Sequence, residues 1–352
     1  MPTSPHRRLY LLPLVAIVFF LGVVRADASP TTPTTPTTPT TKSAAATAAG
    51  AATASTATGT SAKPAAGRLS AGDAVVLGLV EGITEYLPVS STGHLIVVER
   101  LLKVVPKEGL DQQSKDAVDS YTVIIQLGAI LAVLVIFWKR IVEIVQGLLG
   151  KSAGGRQLLI GLVIAFIPAA VFGKALEHSI TGHLLKPLPV AEAWLVGGAV
   201  IFAFIRWFGP THRDGKGATL ESITIKQAAI IGGAQILALW PGTSRSLVTI
   251  LAALLVGLSL SAAVEFSFLL GLLTLTAATG YELLKNGSTV HQVYGIGTPL
   301  IGILVAAVAA VAAVKWMVGY LNRHDLSLFG YYRIVVGIVT LIFIGTKVIG
   351  KN

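Results

Sequence analysis

The chain has 352 residues, of which 53% are hydrophobic and 12% charged, with a formal net charge of +10 and a mean hydropathy of +0.75. Soluble domains carry about 25% charged residues, so this composition excludes a soluble globular protein and reads as an all-α polytopic membrane protein. The lysines and arginines sit mostly at the ends of apolar runs, where they serve topology and lipid headgroups. There is no basic stripe with interleaved aromatics, which argues against nucleic acid as a partner, and the absence of cysteine excludes disulfides and thiolate chemistry.

Residues 1–28 have the build of a secretory signal: His6-Arg7-Arg8, an apolar run from Leu9 to Val24, then Ala26-Asp27-Ala28. The run is shorter than the ~20 residues a spanning helix needs; an uncleaved anchor is the rival reading. Residues 29–71 are low in complexity, with prolines at 30, 33, 36 and 39 spacing Thr pairs, followed by Ala, Thr, Ser and Gly. Such a stretch cannot bury a core and is expected to be a disordered tether.

From residue 72 to 352 lies the expected membrane domain. Residues 72–102 form two short apolar pieces broken at Pro88–Gly93, and three full-length spans follow near 120–138, 157–175 and 190–208. Residues 227–258 are again two short pieces, broken at Pro241–Ser246, before spans near 263–284, 299–318 and 331–349. The expected fold is therefore one broken re-entrant helix pair plus three transmembrane helices, twice: six full spans and two re-entrant hairpins. The repeats cover about 72–208 and 226–349. Gly78 and Glu81 precede the first break as Gly232 and Gln235 precede the second, and Pro88-Val-Ser-Ser matches Pro241-Gly-Thr-Ser. Ala117-Val118-Asp119 likewise matches Ala263-Val264-Glu265.

Three crossings per half invert the second repeat relative to the first. Charge gives the orientation. The loops at 139–156 and 206–226 each hold four Lys or Arg residues, whereas 174–189 holds two and 285–298 one. The richer loops are expected on the cytoplasmic side, which puts the first hairpin outside and brings both polar tips towards mid-membrane. Non-helical backbone is tolerated there only against protein or a wet cavity.

The tips carry the chemistry. Glu81 and Glu85 are four residues apart and share a helix face. Intramembrane acids are costly and mark function by default. Their oxygens suit a hard divalent cation, Mg²⁺ or Ca²⁺, that bridges to phosphate. Arg245 offers a planar donor fork for phosphate oxygens, and the helix starts after Ser91 and Ser244 leave free N–H groups that favour an anion. Ser90, Thr92, Thr243, Ser246 and Thr249 add hydroxyls. His94 can act as general base or nucleophile. Gln126 either touches the site or bonds between helices. Glu265 reads as a helix-end acid, His178, His183, His212, His291 and His324 as solvated loop residues, and Tyr331, Tyr332 and Arg333 as an interfacial anchor.

Glu81-Gly-Ile-Thr-Glu85-Tyr-Leu-Pro-Val-Ser-Ser-Thr-Gly-His94 and Leu239-Trp-Pro-Gly-Thr-Ser-Arg245-Ser resemble the two signature motifs of the bacterial undecaprenyl-diphosphatase family, the bacitracin-resistance (BacA-type) enzymes. The resemblance spans about 72–349, including Tyr121-Thr-Val-Ile-Ile-Gln126-Leu-Gly and Glu265-Phe-Ser-Phe-Leu-Leu. It implies hydrolysis of undecaprenyl diphosphate to the monophosphate carrier reused in cell-wall synthesis, with bacitracin resistance. It also implies a plasma-membrane location and a site towards the outer face. By the same resemblance Glu81 and Glu85 are the paired metal-linked acids, and Ser91 and His94 the attacking or activating groups. Arg245 is then the diphosphate-binding arginine, with Ser244, Ser246 and Thr249 around it. Leu247-Val248 depart from the small Gly-Ala pair common there. The nucleophile (water, Ser91 or His94) stays open, as does oligomeric state, a homodimer being one candidate. A lipid-phosphate flippase is the alternative function, since inverted repeats with broken helices also build carriers.

Overall fold

Two short helices are opened by the same device. Ser70 caps α1 (Ala71–Thr84) and Thr224 caps α8 (Ile225–Gln235), each through a reciprocal box with the residue three positions on, Asp73 and Gln227. The computed structural model describes residues 69–105, 112–208 and 217–350, and every regular element among them is helical. The signal-like segment, nearly all of the tether, and His212, Arg213 and Lys216 lie outside the described residues.

After α1 come α2 (Ser91–Leu102), then α3 (Gln112–Ile124) and α4 (Gln126–Ile136), which run on as one span interrupted only at Ile125. An amphipathic α5 (Trp138–Leu148) leads into α6 (Ala153–Ala175) and α7 (Pro187–Phe208). The second half has α8, a 3-10 extension Ile236–Leu239, α9 (Arg245–Leu255), α10 (Leu260–Tyr294), α11 (Gly297–Leu321) and α12 (Ser327–Gly345). Six helices among the described residues are long and apolar enough to cross a membrane: Gln113–Ile136, α6, α7, α10, α11 and α12. They fall where the apolar runs predict, although α10, at 35 residues, extends ten residues beyond the expected end and carries His291 on its last turn rather than in a loop.

Packing partners are exchanged between the halves. α1 packs on α11, and its counterpart α8 packs on α6. The α3–α4 span packs on α10, and α7 on α12. Small residues let the short helices approach closely. A Cβ on Gly78 would stand 2.6 Å from the Gly302 carbonyl, and one on Gly232 would stand 2.5 Å from that of Ala165.

Ion pairs tie the loops on each side. Arg140 reaches Glu143, Glu221 and Glu265, each at 2.7 Å, joining the two basic loops to the start of α10. Glu265 is thus an ion-pair partner rather than a simple helix-end acid. Across the molecule Glu177 receives Lys174 at 2.7 Å and Lys285 at 3.4 Å, joining the two poorer loops. The loops grouped by charge content are therefore grouped in space.

A further expectation fails on α12. Tyr331 and Tyr332 are 64% and 40% exposed, but Arg333 is 0% exposed and faces α7, so it is no interfacial anchor. Gly197 on α7 leaves the notch that admits it; a Cβ there would collide with the guanidinium.

Candidate active site

The helix that carries the acids stops because Pro88 disfavours helical geometry at the residue before it. Glu81 and Glu85 end up one turn apart and buried, at 0% and 8% exposure. Residues 87–89 then run without helical hydrogen bonds, so their carbonyls need donors from elsewhere. They find them on three different elements. Leu87 O accepts from Ser246 Oγ at 2.8 Å, Pro88 O from Arg333 at 3.2 Å, and Val89 O from Trp194 Nε1 at 2.7 Å.

Each broken pair restarts from a serine in left-handed backbone. Ser90 has φ 72° and ψ 101°, and Ser244 has φ 75° and ψ 114°. Such angles are costly for a non-glycine residue and cluster at functional sites. Each serine also caps its helix, accepting from the backbone N–H of Gly93 at 3.4 Å and of Leu247 at 3.2 Å. This geometry corrects the register read from the sequence. Ser90 corresponds to Ser244, not to Thr243, because the second turn holds one more residue between its proline and its cap. Ser91 and Arg245 thereby become equivalent, each the first residue of its helix.

Both of those residues close on Glu85. Ser91 Oγ donates to Glu85 Oε2, and Arg245 donates to Glu85 Oε1 at 2.9 Å. Arg245 also donates to the Ser267 carbonyl at 3.1 Å and lies 5.7 Å from the Tyr86 ring centroid. A glycine seats it: a Cβ at Gly271 would overlap the guanidinium. Tyr86 is held edge-on by Phe268, centroids 5.0 Å apart.

Glu81 differs from its neighbour. Neither of its carboxyl oxygens has a hydrogen-bond partner. A buried, unpartnered carboxyl calls for a proton or a cation. With Glu85 one turn away, the donor set is hard oxygen and fits Mg²⁺ or Ca²⁺. Among the described residues, however, no group of three or more His, Asp or Glu side chains is gathered to hold a metal ion. Glu81 and Glu85 by themselves would leave most of such an ion's coordination to other oxygen donors.

The remaining predicted residues fall into a ring behind this centre. Ser246 spends its proton on Leu87 O, leaving its oxygen to accept from Ser244 at 3.0 Å. Thr249 bonds the Arg245 carbonyl at 2.8 Å and Ser267 Oγ at 2.6 Å, bracing the arginine's helix against α10. Thr243 is buried with its hydroxyl unpartnered. Thr92 and Gln126 are half-buried, the first on α2 and the second opening α4, and neither takes part in the bonds that join the turns.

His94 has both nitrogens engaged. Nδ1 lies 2.6 Å from the Ser90 carbonyl, which can only accept, so Nδ1 carries the proton. Nε2 then accepts from the Tyr332 hydroxyl at 2.8 Å. The imidazole also packs against Trp194, centroids 4.8 Å apart. The sequence gives Trp194 no role, and it places Tyr332 and Arg333 in an interfacial anchor rather than beside the two turns. The signal that could have found Arg333 is an arginine beyond the start of an apolar helix whose neighbours include Gly330 and Gly337.

Residues 74–339 match the family described as bacitracin resistance protein BacA. Over 268 residues the chain is 42% identical to a protein of Rhodospirillum rubrum named undecaprenyl-diphosphatase 2, covering 76% of this chain and 93% of the relative. It is 40% identical over 270 residues to the undecaprenyl-diphosphatase of Sorangium cellulosum, covering 76% and 85%. Against undecaprenyl-diphosphatase 3 of Acinetobacter baylyi it is 39% identical over 279 residues, covering 78% and 98%. Two turns meeting on one buried glutamate, in a frame of six apolar helices, belong to a chain that is a member of the BacA family.

Proposed function

We propose that this chain is a multi-pass membrane phosphatase that hydrolyses undecaprenyl diphosphate with water, releasing undecaprenyl phosphate and inorganic phosphate. The observation that carries the reading is the convergence of Ser91 and Arg245, first residues of two separate helices, on Glu85. Family membership and the relatives' names support the substrate. Recycling of the lipid carrier and bacitracin resistance follow from that substrate.

In this reading Arg245 leaves Glu85 to bind the terminal phosphate, and the free N–H groups of α2 and α9 receive its other oxygens. Released from the arginine, Glu85 takes the Ser91 Oγ proton as Oγ attacks the terminal phosphorus. The bond to the lipid phosphate oxygen breaks and undecaprenyl phosphate leaves with the proton that Glu85 took, so that Glu85 is a carboxylate again. Water, deprotonated by Glu85, then cleaves the Ser91–phosphate bond and the serine regains its proton. Among water, Ser91 and His94, Ser91 is favoured because its proton already points at a carboxylate, while both His94 nitrogens are occupied. Glu81 and Glu85 would hold Mg²⁺ or Ca²⁺, which neutralises charge on the transferred phosphoryl group. Ser244, Ser246 and Thr249 shape the loop behind Arg245, and Ser90, Thr92 and Gln126 border it.

The fold in this reading is an inverted repeat with two re-entrant hairpins. The exchanged partners (α1 on α11, α8 on α6), the two capping boxes and the two left-handed serines support it. The basic loops tied by Arg140 lie in the cytoplasm, so the first hairpin, and the site with it, opens to the outer face of the plasma membrane.

The test is phosphate release from undecaprenyl diphosphate by purified protein in detergent, with and without chelator, comparing wild type, Glu85→Gln and Arg245→Ala. Equal rates for the three would refute the site. Absence of hydrolysis, with intact lipid crossing liposome bilayers, would refute the phosphatase in favour of a carrier.

A further inference from the structure

Arg333 is buried at 0% exposure on the last helix, yet its recorded partners are carbonyl oxygens and not carboxylates. One terminal nitrogen donates to Pro88 O at 3.2 Å; the other donates to Gly242 O at 2.8 Å and Ala193 O at 2.9 Å. Nε has no partner. Burying a guanidinium is expensive, so a cation satisfied by backbone alone needs a reason. The reason is in what it joins. Pro88 lies three residues after Glu85, and Gly242 three residues before Arg245. Both are in turns whose carbonyls lack helical donors.

We propose that Arg333 is a positioning residue that clamps the two turns to each other and to α7, and so holds the Glu85–Ser91–Arg245 centre in register. The planar fork is what the task requires. Its nitrogens are spread in a fixed plane and reach carbonyls from three segments together, whereas a lysine ammonium is a single point of donors. Gly197 is the other half of the device, because any side chain there displaces the guanidinium. The division of labour is plain: Arg245 has an acidic partner that phosphate can replace, while Arg333 has partners that never leave.

The clamp's catalytic consequence rests on the proposed phosphatase activity; its structural consequence does not, and the experiment reads both. Full-length Arg333→Lys, Arg333→Gln and Gly197→Ala are purified, restricted to the folded, monodisperse fraction, and assayed well below their melting temperatures. Hydrogen exchange by mass spectrometry is followed at residues 85–95 and 240–250. Exchange is expected to rise at both turns together in all three variants, with α10 unchanged. Misplacement of reacting groups by about 1 Å costs on the order of 10²-fold, so kcat should fall by roughly that much with KM within about threefold. Ser246→Ala, which cuts another link between the turns, should cost more in the Arg333→Lys background than alone. Unchanged exchange at either turn, or kcat equal to wild type in the folded fraction, overturns the clamp. If wild type itself fails to hydrolyse the lipid, the phosphatase reading falls and the exchange data alone decide the clamp.

Discussion

Glu85 and Arg245, 160 residues apart in the chain, meet through a 2.9 Å ion pair whose side chains are only 7% and 11% exposed. At that burial neither charge can be removed alone without stranding the other. The pair is therefore a structural joint between two turns and, in the proposed mechanism, a phosphate site held closed by its own acid.

Arg245→Ala leaves a buried carboxylate without its cation, a loss of about 3–5 kcal/mol in stability for pairs of this kind. The neutral double variant Glu85→Gln/Arg245→Met should recover much of the melting temperature and none of the turnover. Loss of one preorganised donor typically costs 10²–10³-fold in kcat, and about that is expected for Arg245→Ala. Should the double variant melt no higher than the single one, the ion pair is not what destabilises Arg245→Ala.

Metal dependence is predicted to run through Glu81. Chelation should abolish phosphate release, with recovery on adding Mg²⁺ or Ca²⁺. Changing groups that merely support metal ligands costs roughly 10–100-fold in metal affinity, so Glu81→Gln should raise the half-saturating metal concentration by at least that much. A metal titration identical to wild type would remove Glu81 from the ligand set.

Helix contact at Gly82 is predicted to be intolerant. A Cβ there would lie 2.7 Å from Ala309 Cβ and 2.9 Å from Ala306 Cα, forcing α1 off α11. Overpacking of this sort costs about 1–3 kcal/mol, and the acids on α1 should shift with it. Gly280→Ala is the control, since nothing lies within 4 Å. Comparable melting temperatures for the two variants would show that the α1–α11 contact yields without cost.

Acid sensitivity should arise partly at the loop cluster around Arg140. The Glu221 carboxyl is held below its ordinary range by its own backbone N–H and by the Arg140 guanidinium. A depressed folded value means the contribution is complete above the ordinary carboxylate range and is lost as pH falls through the folded value. Glu221→Gln should thus narrow the difference in melting temperature between neutral and acid pH. The effect is modest because the side chain is 44% exposed and screened by water. An unaltered pH profile would count against any role for this carboxyl.

What the residues alone determined is whatever depends on short stretches of chain. Six spans are legible because apolar length is a local property, and Pro88 and Pro241 mark the breaks because proline's steric effect is local too. The paired acids and Arg245 stand out for a similar reason: charge inside an apolar run is conspicuous wherever it lies. The tertiary structure alone decided which of these groups meet and how. The register of the two turns turned on the positive φ of Ser90 and Ser244, which residue identity does not announce. His94 proved to be engaged by Tyr332, 238 residues away. Arg333 read as a surface anchor because arginine near a helix start usually is one. Its burial depends on a notch at Gly197 in a different helix, and on carbonyls that two distant turns leave without donors of their own.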